Sequence, residues 1–136
     1  MNEMFLTMNL NVHTEMIQAG LRNLPNEICG FLSGRNNSIT TWTEMKNISS
    51  NHNTFFIHKE TVEEALISIE KMSEEVIALA HSHPKTNPRP SYLDLRNHPN
   101  PTVKMVIVSF KYKNPILKCY DINKLTYKEI SIFVNK

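Results

Sequence analysis

The sequence predicts an α/β domain in which a mixed β-sheet is flanked by helices, because strand-like and helical segments alternate along it. The segment VIALAHSH at 76–83 is a nearly continuous apolar run, which is typical of a buried central strand. Strand-like segments also end the chain. With 136 residues, the chain has the usual length of one domain, and we expect a single domain spanning 1–136.

The first half of the chain predicts one helix and several short strands. Apolar residues recur every three or four positions over about 14–23, and Pro25 ends this helical pattern. A short strand is expected over 27–32. The segments SITTWTEM at 38–45 and TFFI at 54–57 are rich in β-branched and aromatic residues, so each predicts a further strand.

The second half predicts a long helix, a central strand and a short helix before the last strands. Over 59–72, one apolar stripe runs between charged residues, as in a surface helix on a sheet. The central strand then runs from Val76 to His83, and the short helix begins at Ser91. The last three strands are predicted at VKMVIVSF (103–110), PILKCYDI (115–122) and LTYKEISIFV (125–134).

Composition excludes several classes of protein. The formal net charge is +2 and the basic residues are dispersed, which argues against a nucleic-acid partner. No apolar run approaches about 18 residues, so we expect no membrane association and a cytoplasmic location. Cys29 and Cys119 lie far apart, which indicates two reduced thiols rather than a disulfide framework or a four-cysteine zinc site.

The segment HSHPKTNPRPSYLD, from His81 to Asp94, has the chemistry of a metal site. On a strand, His81 and His83 point to the same face, so two imidazoles can share one ion. Asp94 could complete a three-ligand shell, the pattern of catalytic zinc with a fourth position open to water. Glu27 is the candidate general base, since its strand could lie beside the histidine strand.

Each part of this pattern also has a structural explanation. Ser91 and Asp94 match the S-x-x-D capping box of a helix, which needs no metal. A capping serine nevertheless lies at the positive end of the helix dipole, where an oxyanion would be stabilised. Among the other histidines, we expect His98 at the rim of the site. The structural or surface histidines would be His13, His52 and His58.

The spacing resembles a known motif. The chain lacks HExxH, the H-x-E and P-C-x-x-C pair of nucleobase deaminases, GxSxG and a glycine-rich phosphate loop. Glu27 followed by H-x-H-x7-S-x2-D from His81 to Asp94 resembles the JAMM motif of the MPN-domain metalloproteases. The segments PNEICGFLSG and VKMVIVSF also resemble the family's strands before and after the site. This resemblance covers nearly the whole chain.

The resemblance implies both a fold and a set of roles. The fold would be an MPN/JAB domain, layered in the manner of cytidine deaminases. One Zn²⁺ per chain would be held by His81, His83 and Asp94. Glu27 would be the general base, and Ser91 would donate a hydrogen bond to the tetrahedral oxyanion.

The resemblance also implies hydrolysis of an amide or isopeptide bond. The expected substrate is a ubiquitin-like or sulfur-carrier protein whose Gly-Gly tail pairs with a sheet edge, and the short chain resembles a minimal prokaryotic member. Three alternatives stay open: a non-catalytic scaffold, a zinc amidase acting on a small molecule, and another divalent metal such as iron. A homodimer through an exposed strand edge also stays open.

Overall fold

The computed structural model describes residues 4–136, so residues 1–3 of the predicted domain lie outside it. Over that range the chain forms seven strands and three helices, and none of the helices is long and apolar enough to cross a membrane. The elements are β1 (Phe5–Asn9), α1 (Leu10–Asn23), β2 (Cys29–Arg35), β3 (Ser38–Met45), α2 (Lys59–Lys71), β4 (Glu75–His83), α3 (Tyr92–Asn97), β5 (Lys104–Ser109), β6 (Ile116–Asn123) and β7 (Thr126–Asn135).

The strands form one mixed sheet that closes on itself in the order β1-β3-β2-β4-β5-β6-β7. Closure is made by parallel pairing of β1 with β7, from Phe5–Ser131 to Asn9–Asn135. In contrast, β1 pairs with β3 at Thr7–Ser38 and Met8–Ile39. Within residues 4–136 every strand therefore has a neighbour on both sides. A dimer formed through a strand edge would have to use a segment where a strand extends beyond its partner.

Two faces of the sheet are covered by different helices. The main core joins α1 to one face through residues such as Met16, Leu32 and Ala80. On the other face, α2 packs through Ala65 and Ile69 on Cys29, Phe31 and Met45. Side chains alternate along β4, so its histidines fall on the α2 face.

The predicted mixed sheet with flanking helices is confirmed, but three details differ. The segment 54–57 is not a strand, because Asn47 holds it through its side chain: Phe56 N donates to Asn47 Oδ1, and Asn47 Nδ2 donates to Thr54 O. Strand β1 was not predicted. Helix α1 also begins at Leu10, four residues before the predicted start, which puts His13 inside the helix.

Candidate metal centre

The two histidines lie at the C-terminal end of β4, between β2 and β5. His81 is 1% exposed and His83 is 6% exposed. His81 pairs with Cys29 of β2 and with Ile107 of β5, so its backbone is fixed on both sides. Their rings project from the same face, with centroids 5.2 Å apart, as expected for residues two apart on a strand.

Glu27 is held beside the histidines by hydrogen bonds between its neighbour Ile28 and the C-terminal end of β4. Ile28 N donates to Ser82 Oγ at 2.9 Å, and Ser82 N donates to Ile28 O at 3.1 Å. Asn47 Nδ2 donates to Glu27 O at 2.8 Å. Glu27 is consequently buried, with its Oε1 atom 4.0 Å from His81 Nδ1. The adjacency of these two strands, on which the base assignment depends, is therefore observed.

Asp94 enters the site from the first turn of α3. Ser91 caps this helix: Asp94 N donates to Ser91 Oγ at 3.1 Å, and Ser91 N donates to Asp94 Oδ2 at 2.9 Å. The same carboxylate lies 3.0 Å from His83 Nε2 through Oδ2 and 3.8 Å from His81 Nε2 through Oδ1. The predicted capping box is thus present, and it orients the carboxylate of Asp94 toward both imidazoles.

These three side chains fit a metal ion. Their donor atoms lie within 4.8 Å of one another. In the described chain, His81 Nδ1, His81 Nε2 and Glu27 Oε1 are buried without a hydrogen-bond partner. Buried polar atoms are normally paired, so the unpaired atoms gathered here need an explanation. The two nitrogens of His81 point in different directions, and an ion between His81, His83 and Asp94 would account for Nε2, which faces Asp94. Two imidazoles and a carboxylate are a donor set that suits zinc and other divalent transition metals.

Burial and the neighbouring polar groups together set the pKa values of the site. Burial lowers the pKa of His81 to about 4, so the ring is neutral and its lone pair can bind a metal. It raises the pKa of Glu27 to about 7, an effect that His83 opposes and Asp94 reinforces. For Asp94, burial acts to raise the pKa, but the hydrogen bond with His83 and the nearby His81 lower it to about 2.

The loop 84–90 fixes the orientation of His83. Its Nδ1 lies 2.8 Å from the carbonyl oxygen of Asn87, which can only accept, so Nδ1 carries a proton. Nε2 faces Asp94 Oδ2 and is the nitrogen that would bind a metal. The loop is itself tethered by hydroxyl groups from other elements. Ser109 donates to Thr86 O, Tyr112 donates to Asn87 Oδ1, and Tyr120 donates to Pro88 O.

Two pockets meet at this centre, and both are lined by Asn53 and Asp94. The first has a volume of about 400 Å³ and is mostly apolar. The second, of about 340 Å³, is polar and includes Glu27 and Ser91. We call them the apolar pocket and the polar pocket. The remaining lining of the apolar pocket is Cys29, Phe31, Met45, Thr54, Phe55, Phe56, Ile57, Val62, Leu79, Leu93, Asn97 and Pro99.

The structure brings together all five residues that the sequence singled out: Glu27, His81, His83, Ser91 and Asp94. Their catalytic and ligand roles stay predictions.

Among the described residues, none of the other histidines belongs to the metal group, and His98, expected at the rim, lines neither pocket. His98 is half-buried, and its Nε2 contacts Val103 O. His52 is exposed as expected but lines the polar pocket, a position that the sequence did not indicate. Sequence reasoning also missed the positioning roles of Ser82 and Asn47, for which only the tertiary structure gives a signal.

The chain matches a known protein family. A family model described as prokaryotic homologs of the JAB domain matches residues 10–122. No match was found among curated proteins.

Among solved structures, protein DSY2949 from Desulfitobacterium hafniense is 26% identical, with a TM-score of 0.87 over 98% of this chain and 94% of that one. AF2198 from Archaeoglobus fulgidus, described as a JAB1/MPN domain protein, is 19% identical, with a TM-score of 0.61 over 94% of this chain and 99% of that one. A structure described as JAMM, a metalloprotease-like zinc site in the proteasome and signalosome, is 18% identical, with a TM-score of 0.61 over 98% and 100%. The last two likenesses concern the fold.

Proposed function

Because the chain belongs to the family of prokaryotic JAB-domain homologues, we propose that it is a zinc-dependent hydrolase of amide or isopeptide bonds. The observation that carries the proposal is the convergence of three potential metal ligands beside a buried carboxylate, Glu27. A purely structural capping box would explain Ser91 and Asp94. It would not explain buried imidazole nitrogens without partners in residues 4–136.

His81, His83 and Asp94 would hold the zinc ion. When bound, zinc polarises a carbonyl group and makes water more acidic. The capping box and the Asn87 carbonyl hold Asp94 and His83 in position before any ion arrives.

Glu27 would act as the base and then as the acid. Its carboxylate takes a proton from water as the water oxygen bonds to the carbonyl carbon, and it returns this proton to the nitrogen when the carbon–nitrogen bond breaks. Ser91 Oγ already accepts from Asp94 N, so its hydroxyl proton is free to be donated to the developing oxyanion.

The proposed substrate is a ubiquitin-like or sulfur-carrier protein with a Gly-Gly tail. The zinc site described for the JAMM structure in the proteasome and signalosome supports this class. We also propose that the protein acts as a single domain in the cytoplasm. Cys29 and Cys119 are buried free thiols, which is usual in a reducing compartment.

The first test compares wild type, Glu27→Gln and Glu64→Gln. Zinc content is measured by elemental mass spectrometry and turnover with a Gly-Gly-tailed carrier fusion. We expect about one zinc ion per chain in all three proteins, and turnover lost in Glu27→Gln, since an amide cannot carry the proton. Glu64 is exposed on α2, so Glu64→Gln controls for loss of a carboxylate.

Other outcomes would replace the proposal. Bound zinc without hydrolysis of any amide would favour a scaffold. Hydrolysis confined to small amides would favour an amidase. Equal turnover in Glu27→Gln and wild type would remove the proposed mechanism.

A further inference from the structure

We propose that the apolar pocket selects the substrate by binding a bulky apolar side chain on the acyl side of the cleaved bond, at the residue before the Gly-Gly pair. This inference rests on the proposed hydrolase function. It adds a sequence requirement for the tail, which the metal site itself does not impose.

The pocket is built to hold an apolar group. Its floor is formed by Phe31, Leu79 and Cys29 on the α2 face of the sheet, and Val62 of α2 closes one side. The rim is unusually apolar for a surface: Phe56 is 62% exposed and Leu93 is 49% exposed. Water in a cavity lined by large apolar side chains makes few hydrogen bonds. An apolar group that displaces this water would therefore be stabilised there.

The positions of Glu27 and Ser91 indicate toward which pocket the acyl chain of the substrate would extend. As water adds, the carbonyl carbon carries four groups: the new hydroxyl, the oxyanion, the leaving nitrogen and the acyl chain. Ser91 would bind the oxyanion and Glu27 would protonate the nitrogen, and both residues line the polar pocket. The acyl chain is then directed past Asp94, where the polar pocket meets the apolar one.

The spacing along the sheet indicates which residue of the substrate tail would enter the apolar pocket. Cys29 pairs with His81, and Phe31 pairs with Leu79, so the pocket floor extends two residues from the metal centre along β4. This distance is about 7 Å, which an extended peptide also covers in two residues before its side chains return to the same face. Two residues before the terminal glycine of the tail is the residue that precedes the Gly-Gly pair.

Binding tests this requirement without turnover. The peptides N-acetyl-Ala-X-Gly-Gly, with X as Leu, Ala or Asp, are titrated calorimetrically into zinc-loaded Glu27→Gln protein. We expect the Leu peptide to bind about 10-fold or more tightly than the Ala peptide, with the more negative heat-capacity change that apolar burial produces. The Asp peptide should bind most weakly. Equal affinities for Leu and Ala, or no binding of any peptide, would overturn the inference.

Two variants of α2 assign the preference to the pocket. Val62→Trp fills the pocket and should bring the Leu-to-Ala ratio close to one. Ile67→Trp introduces the same side chain at a position that is 54% exposed and outside the pocket lining, so the ratio should stay as in the parent protein. If Val62→Trp does not fold, Phe56→Ala at the rim should lower the ratio instead. A ratio unaffected by the folded pocket variant would contradict the assignment.

Hydrolysis is measured separately, with wild-type protein and carrier fusions that end in Leu-Gly-Gly or Ala-Gly-Gly before the cleaved bond. Cleavage of both fusions at equal kcat/KM would contradict the pocket inference while leaving the hydrolase function intact. No cleavage of either, with the binding preference present, would contradict the hydrolase function and leave the pocket assignment in place.

Discussion

Asp94 has two structural roles, since it caps α3 and lies between both histidines. Asp94→Ala should abolish zinc binding, because two imidazoles alone make an incomplete shell. Ser91→Ala is the matched control, as it breaks the same capping box but keeps all three ligands. We expect about one zinc ion per chain in Ser91→Ala and none in Asp94→Ala by elemental mass spectrometry. Loss of zinc from both variants would mean that zinc binding depends on the capping hydrogen bonds, so that Asp94→Ala would not identify Asp94 as a ligand.

At the residue scale, the metal group could be predicted because its spacing is local. His81 and His83 share a strand, and Asp94 follows eleven residues after His83, so period-two geometry and helix capping nearly define the group. The supports of Glu27 could not be predicted in this way. Ser82 and Asn47 act through bonds to the backbone near Glu27, and such bonds leave no sequence pattern.

At the scale of elements, the loop 84–90 depends on a hydroxyl from β6. Tyr120→Phe removes the bond to Pro88 O, a buried acceptor, and should cost about 1–2 kcal/mol of stability. The loop also orients His83, so zinc affinity should fall, by up to roughly 10-fold. Urea unfolding and zinc titration against a competing chelator measure the two effects.

Tyr127→Phe is the matched control for this substitution. Tyr127 packs edge-on against Tyr120, and in residues 4–136 its hydroxyl makes no hydrogen bond that holds the loop. The control should leave zinc affinity unchanged. An equal fall in zinc affinity for both variants would point to ring packing rather than to the bond with Pro88.

A second cluster, around Glu74, joins the start of β4 to β2 and β3. Ser33 Oγ donates to Glu74 Oε1 at 2.8 Å, and Thr40 and Thr41 donate to Oε2. Burial acts to raise the pKa of Glu74, but these hydrogen bonds and Arg35 lower it below its ordinary value. The ionised carboxylate therefore stabilises the folded chain above the unfolded pKa, and this contribution is lost as pH falls through the folded pKa.

Glu74→Gln should consequently destabilise the protein at pH 7, and its difference from wild type should shrink below about pH 4. Urea midpoints at pH 7 and pH 3 measure this change. Glu75→Gln, at an exposed neighbouring position, should show no comparable pH-dependent difference. A deficit of Glu74→Gln that is equal at both pH values would show that shape, not charge, matters at this position.

Elements with strong local patterns were predicted well, and the errors have physical reasons. Strand β3 spans Ser38–Met45 as expected, and α2 begins at Lys59. The segment 54–57 has the side chains of a strand, but two of its backbone groups, Thr54 O and Phe56 N, pair with the side-chain amide of Asn47. Strand β1 has five residues, and its partners β3 and β7 are distant in sequence, so nothing local marks it.

At the scale of the whole molecule, closure of the sheet could not be predicted from the sequence. It depends on the register between Phe5 and Ser131, at opposite ends of the chain, and alternation within either strand does not specify a partner. The metal centre, by contrast, lies where neighbouring strands β2 and β4 meet α3. A site built from adjacent elements is therefore more visible in the sequence than the fold that surrounds it.

The metal centre joins β4 to α3, so an ion bound there should stabilise the whole fold. Binding to the native state alone adds about 2.7 kcal/mol at a free zinc concentration 100 times Kd. For a domain of this size, Tm should rise by roughly 10 °C. Differential scanning calorimetry of wild type with zinc and with a chelator measures the shift, and Asp94→Ala should show none. An equal shift in Asp94→Ala would place the stabilising ion elsewhere, since that variant keeps both histidines but lacks the residue that links them to α3.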